Sequence, residues 1–245
     1  MRRDMTQPAA WTLALVAVLT ISMSASAATL TGVAQANPVS PADLTALSVG
    51  GDWAVWTSTS NPRANGTPNN RKDNVTALIG DVSNILGANT RGVTVSSTQQ
   101  ISYTDGVSPT TATGVTVSGI TSTALSTSGA GVELDITGDP SQGLFVRLFV
   151  AGYRKVGTLT ATLNGATTYT DSSFSWGDDK IGRLYLLHFQ PDNVSDLLHI
   201  SFTGAGSSSN SHVLLSAVTV AVPTPASLPA GLGLLSLITL RRRRR

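Results

Sequence analysis

The sequence predicts an all-β protein, an antiparallel β-sandwich set between two targeting segments, and three observations predict it. The central stretch is rich in Thr, Ser, Val and Gly and poor in Lys, Glu and Gln, a composition that suits pleated, half-buried strands. Short apolar runs recur there, several with a period of two, separated by turns of Gly, Pro, Asn and Asp. Both ends of the chain instead place arginines beside an apolar run. On this reading residues 1–27 are a signal peptide, 28–221 the sandwich domain, and 222–245 a C-terminal sorting signal with a transmembrane helix.

At the N-terminus, Arg2 and Arg3 form a basic n-region and Ala9 to Met23 an apolar h-region. Ala25-Ser26-Ala27 supplies the small residues of a cleavage site, so Ala25 and Ala27 mark the cut and the mature chain begins near Ala28. Asp4 and Met5 follow the arginine pair where a twin-arginine signal needs other residues, which favours general secretion.

Within the domain, Ala28 to Pro41 reads as a lead-in strand or a loose arm. Leu44–Val49 reads as a strand, and after the Gly50-Gly51 break comes a second, Asp52-Trp53-Ala54-Val55-Trp56. Asn61 to Lys72 is dense in turn formers and is expected to be an exposed loop. Asp73–Leu86 suits either a short helix or a strand and turn. Further strands are expected at Gly92–Ser96, Gln99–Thr104 and Gly114–Ser118. Val132, Leu134 and Ile136 alternate with Glu133 and Asp135, which makes a half-exposed strand. Leu144–Val150 is apolar on both parities apart from Arg147 and belongs in the middle of a sheet. Thr158–Leu163 sets Leu159, Ala161 and Leu163 against three threonines; Leu184–Phe189, Leu198–Phe202 and Val213–Val220 complete the series. Many short strands without a heptad or a long amphipathic helix argue for an antiparallel sandwich.

The C-terminus reads Val222-Pro223-Thr224-Pro225-Ala226-Ser227-Leu228-Pro229, then apolar residues, then Arg241, Arg242, Arg243, Arg244 and Arg245. Ala226 to Leu240 is uncharged for 15 residues, somewhat below the roughly 20 that span a bilayer comfortably. The arginines resist translocation and leave the tail cytoplasmic with the domain outside. Pro223 and Pro225 favour an extended, accessible segment before the apolar run.

This order of motif, apolar run and basic end resembles the PEP-CTERM family of bacterial sorting signals in its Val-Pro-x-Pro-Ala form. Thr224 stands where the commonest form has glutamate. The resemblance implies an exosortase, a membrane-embedded transpeptidase, as partner, and a Gram-negative bacterium that makes extracellular polysaccharide. It implies export to the cell surface or medium after transient anchoring in the inner membrane. An ordinary C-terminal membrane anchor is the alternative.

Charge points the same way. Of the 16 Lys and Arg, two lie in the leader and five in the tail; of the 14 Asp and Glu, only Asp4 lies in either end. The domain between therefore carries nine basic and thirteen acidic residues, about −4, although the whole chain has a pI of 9.2. A basic patch for nucleic acid would rest on arginines of the two ends, so no nucleic-acid partner is expected. The chain has no Cys, so an exported domain here is held by its core alone.

A second resemblance rests on Asp52-Trp53-Ala54-Val55-Trp56 with Asn70-Arg71-Lys72, on Leu148 to Tyr153 with Gly157 to Leu163 and Tyr169, and on the closing strands His199–Phe202 and Val213–Val220. These are similar to a jelly-roll-like family of exported bacterial proteins. Some carbohydrate-active proteins carry such sandwiches, which implies a link to glycans by analogy.

Candidate sites follow from residue chemistry. Asp178 and Asp179 are adjacent, so on a strand they would face opposite ways; they read as a solvated turn rather than an acid/base pair. His188, His199 and His212 lack metal-ligand spacing, and no Gly-x-Ser-x-Gly elbow occurs. No catalytic residue, metal ligand or cofactor is expected. A structural calcium ion is common in such sandwiches, but no ligand loop here identifies one. Sugar-ring stacking is the better chemistry for this domain. Trp176, in the polar turn Ser175 to Asp179, is the first platform candidate, and Trp56 is another because Trp53 and Trp56 have opposite parity. Burial of both indoles in the core is the competing reading. Arg71 and Lys72 read either as a polar clamp on a glycan or as ion-pair partners of Asp52. The expected function is a non-enzymatic surface or matrix protein associated with extracellular polysaccharide. A secreted glycan hydrolase or lyase and a self-associating structural protein are the alternatives.

Overall fold

The computed structural model describes residues 27–36, 40–56, 66–91, 99–116, 118–124, 126–206 and 210–223. In chain order the elements are β1 (Thr29–Gln35), β2 (Ala42–Asp43), α1 (Leu44–Leu47), β3 (Trp53–Val55), β4 (Asn70–Arg71), β5 (Ser83–Asn84), β6 (Asn89–Arg91), β7 (Gln100–Tyr103) and β8 (Ala112–Thr116). They continue with β9 (Ile120–Ser122), β10 (Gly131–Thr137), β11 (Leu144–Tyr153), β12 (Val156–Leu163), β13 (Thr167–Asp171), β14 (Arg183–Gln190), β15 (Leu197–Ala205) and β16 (His212–Ala221). The protein is all-β with antiparallel sheets; the one parallel pairing among the described residues joins β2 to β7.

Two sheets face each other. The first runs β1-β14-β11-β16-β3-β4, with β9 attached to β16 and β6 to β9; the second runs β13-β12-β15-β10-β5. From β10 onward the chain crosses between them at nearly every step, and only β12 and β13 are neighbours in one sheet. The period-two pattern dictates what lies between. Leu159, Ala161 and Leu163 of β12 and Leu134 and Ile136 of β10 point inward against Val146, Leu148, Tyr185, Leu187 and Phe189 of the first sheet. The intervening threonines and acids of β10 and β12 stay at the outer surface. A fully buried aliphatic or aromatic side chain of this kind contributes about 1.5–3 kcal/mol.

The first sheet is also covered on its outer side. Trp53, Val55, Phe149, Ala151, Leu184, Leu214 and Ala217 pack there against Ala42, Leu44, Ile101 and Tyr103, brought by α1 and the small sheet β2-β7-β8. This second layer explains why β11 and β16 are apolar on both parities: β11 lies between β14 and β16, and both its faces are packed at mid-strand.

Three local expectations change. Leu44–Val49 is not a strand: Leu44–Leu47 forms one helical turn, with the Asp43 carboxylate accepting from Ala46 N at 3.1 Å as its N-cap. The loop expected through Lys72 ends earlier, because Asn70–Arg71 pair with Ala54 and Val55, and Asn70 is buried. Asp73–Leu86 takes the strand-and-turn alternative, with Ser83–Asn84 paired to β10. The strand expected at Gly92–Ser96 lies outside the described residues, as do Asn61 to Asn65. β6, β9 and β13 have no counterpart among the expected strands.

Candidate functional site

The residues selected from the sequence as glycan contacts are structural. Trp176 is 3% exposed and fills the end of the space between the sheets, edge-on to Phe174 and Phe202 at 5.9 and 6.1 Å. Its indole N–H donates to Ile181 O at 2.7 Å, and Gly152 and Gly157 make room for its ring, since a Cβ on either would come within 2.6 Å of it. Trp176 is therefore no sugar platform. Trp56, 2% exposed, lies in the inter-sheet core with its N–H on Gly66 O at 2.8 Å, while Trp53 packs in the outer layer on Tyr103. Opposite parity holds, but both faces are covered, so neither indole reaches the surface.

Arg71 and Lys72 are pins rather than a clamp. Arg71 Nη2 lies 3.5 Å from Asp52 Oδ2 and donates to Ile79 O at 2.7 Å. Asp52, wholly buried, also accepts from Leu78 N at 3.0 Å and Ile79 N at 3.3 Å, and burial raises its pKa in spite of those bonds. Lys72 Nζ donates to Ser48 O at 2.8 Å and lies 3.7 Å from Asp105, which also accepts from Trp53 Nε1 and Thr45 Oγ1. Asn70 bridges the remaining loop. Its amide donates to Tyr103 Oη and Pro109 O, and its carbonyl accepts from Arg71 N, Val107 N and Ser108 N. The Asp-Trp and Asn-Arg-Lys motifs thus tie β3 and β4 to the segments that cover them.

Asp178 sits in an exposed turn paired with Arg154, as a solvated aspartate should. Strand pairing brings His199 between two carboxylates, with Nδ1 2.8 Å from Asp135 and Nε2 3.6 Å from Glu133. The sequence spacing conceals this trio because β10 and β15 are far apart in the chain. Among the described residues no group of His, Asp and Glu is arranged to hold a metal ion.

His212, at the start of β16, is buried, with Nδ1 2.7 Å from Asn210 O. Burial pushes its pKa below 6.5, helped by Lys155 and Lys180 and opposed by the Asn210 bond. The unfolded chain then binds more protons than the folded one just below pH 6.5, so stability falls as pH drops through that window. Urea midpoints at pH 7.5 and 5.5 are expected to show this loss, and His212→Gln to reduce it. An equal loss in the variant would assign it to other groups.

An open groove lies elsewhere, on the part of the first sheet's outer face that α1 and β2-β7-β8 leave bare. Thr31, Gly32 and Val33 of β1, Leu186 and His188 of β14 and Phe145 of β11 line about 290 Å³. Alternation puts Thr31, His188 and Phe145 in one cross-strand row and Val33, Leu186 and Arg147 in the next. The rings of Phe145 and His188 lie 4.7 Å apart. Gly143 leaves space at the imidazole, because a Cβ there would fall 2.4 Å from His188 Nε2.

Arg147 is half-buried in the cross-strand row next to Phe145, beside Leu186 of the lining, and donates Nη1–H to Leu47 O at 3.1 Å. Burial alone lowers its pKa, with no carboxylate opposing the shift. The signal for this site was in the sequence: Arg147 is the one charge in an apolar strand and shares the parity of Phe145.

Val222, the first residue of the Val-Pro-Thr-Pro segment, marks a second feature. Val222 N donates to Val49 O at 3.1 Å, and Val222 lines a cleft of about 310 Å³ with Gly50, Gly51, Leu78, Asp139 and Leu144. β1 begins at Thr29 opposite Gln190, and β16 ends at Ala221 opposite Phe145, itself paired with His188. Both ends of the domain therefore leave from one pole of the first sheet. Ala27 and Pro223 are the outermost described residues there; Ala25, Thr224, Pro225, Ala226 and Arg241 to Arg245 lie outside the described residues. No described helix is long and apolar enough to cross a membrane.

Fold and surface together define a class, an all-β protein of facing antiparallel sheets whose conspicuous motifs are packing devices. Comparison with protein-family models, with curated proteins and with solved structures finds no match.

Proposed function

We propose that this chain is an exported, non-catalytic surface protein that associates with the extracellular polysaccharide of a Gram-negative bacterium. It is sorted through its C-terminal segment by an exosortase-type transpeptidase. The observation that carries this reading is the shared pole at which Thr29 begins and Ala221 ends the folded domain. A domain delivered by a leader and held by a tail needs both attachments on the membrane side, and here neither segment has to cross a sheet face to get there. Residues 226–240 then serve as a transient inner-membrane anchor with the arginines on the cytoplasmic side.

The two large sheets are read as a jelly roll. The support is the order β3-β16-β11-β14 facing β10-β15-β12-β13, which two Greek keys produce when folded over each other.

The test is the intact mass of the protein recovered from outside its native cells. The expected species begins near Ala28 and ends between Pro223 and Ala226. A mass that still contains the five arginines would make the tail a plain membrane anchor and end the sorting proposal.

A further inference from the structure

The groove at Phe145 and His188 has polar groups that the fold does not use. Neither ring nitrogen of the half-buried His188 has a protein hydrogen-bond partner among the described residues, and the hydroxyl of Thr31, on the exposed face of β1 beside it, has none either. Arg147 commits one N–H to Leu47 O and has no carboxylate within ion-pair distance among the described residues. A guanidinium taken half out of water without a counter-charge is costly to keep, and it stands on a strand that is otherwise apolar. Phe145 and Arg147 point to the same side of β11, two residues apart, so an aromatic surface and a cation lie roughly 7 Å from each other. Val33, 53% exposed, and Leu186 give the floor between them an apolar surface.

We propose that this groove binds a carboxylated sugar unit of a polysaccharide, its ring lying on the Phe145–His188 pair and its carboxylate held by Arg147. The chemistry fits each part. The C–H face of a pyranose packs on an aromatic ring, its hydroxyls meet His188 and Thr31, and a planar guanidinium matches a carboxylate. A neutral glycan would leave Arg147 without its counter-charge, and an apolar peptide would leave the polar groups of His188 and Thr31 unpaired. The inference rests on the proposed polysaccharide association and adds the charge of the unit recognised.

The experiment measures binding of the full chain to polygalacturonate, to its methyl ester, and to the polysaccharide of the native cells. Tighter binding to the acid than to the ester is expected, with Arg147→Gln lowering affinity for the acid at least tenfold, the size of a lost charge-assisted hydrogen bond. Binding to the ester should stay unchanged, and so should the thermal midpoint. Phe145→Ala is expected to weaken both ligands together. Equal affinity for acid and ester, or an Arg147→Gln variant that binds the acid as well as the parent, overturns the proposal. If the native polysaccharide is retained while acid and ester are not distinguished, the carboxylate assignment alone fails. If the native polysaccharide is not retained at all, the association itself fails.

Discussion

Trp176→Ala is expected to destabilise the domain by about 3–5 kcal/mol, the cost of deleting a large aromatic from a packed core. The indole stands between Phe174 and Phe202, and the two glycines that admit it, Gly152 and Gly157, have no side chain with which to fill the void. Its N–H bond to Ile181 O goes as well, which exposes that carbonyl's segment to rearrangement. For a domain of this size the midpoint should fall on the order of 10 °C in a thermal melt. A melt within about 2 °C of the parent, roughly the lower bound per kcal/mol, would mean that the ring is not core. Retention on polysaccharide, measured below the melting transition, should be unaffected.

Asn70→Ala is the second large effect, expected at about 2–4 kcal/mol because several hydrogen bonds fail together. The side chain ties β4 to three groups of the 107–109 turn, beside the backbone bond from Val107 N to Arg71 O at 3.0 Å, and it also meets the Tyr103 hydroxyl. Asn70→Asp separates the two halves of this function, since it keeps the acceptor for Val107 N and Ser108 N but loses both donors. It should recover part of the loss at neutral pH, as read from urea midpoints. A variant pair with equal midpoints would place all the stabilisation in the donors.

The sequence announced the inter-sheet core well. The alternation of Val132, Leu134 and Ile136, and of Leu159, Ala161 and Leu163, is local information, and a strand with one wet face has little freedom to do otherwise. The two-sided burial of β11 and β16 was equally readable from Leu144–Val150 and Val213–Val220. What covers their outer face was not, because Ala42, Leu44, Ile101 and Tyr103 come from short segments with little periodicity. Trp176 misled for a similar reason. Ser175, Gly177, Asp178 and Asp179 are polar, yet a turn can carry a core residue when the chain crosses between sheets, and the glycines that receive the ring are about twenty residues upstream. At Leu44 the Asp43 cap and the Leu44/Leu47 spacing were the available signal for a helical turn. Pairing of Arg71 with Asp52 is one of the two readings open from the sequence, whereas Lys72 turns to Asp105 rather than Asp52, a partner that only the packing reveals.

β16 occupies the centre of the first sheet, between β11 and β3, and is buried along nearly its whole length. It is also the last strand among the described residues, ending two residues before Pro223. A ribosome or a translocon delivers residues in order, so the first sheet has a gap at its middle until residues 212–221 have emerged. Non-local strand pairing of this kind is slow to form and exposes unpaired edges until it is complete. On the proposed export route the first sheet would thus stay open, and fit for threading, until β16 arrives. The domain's final collapse waits for the residues that directly precede Pro223, so on the proposed sorting route folding would act as a timer for the tail.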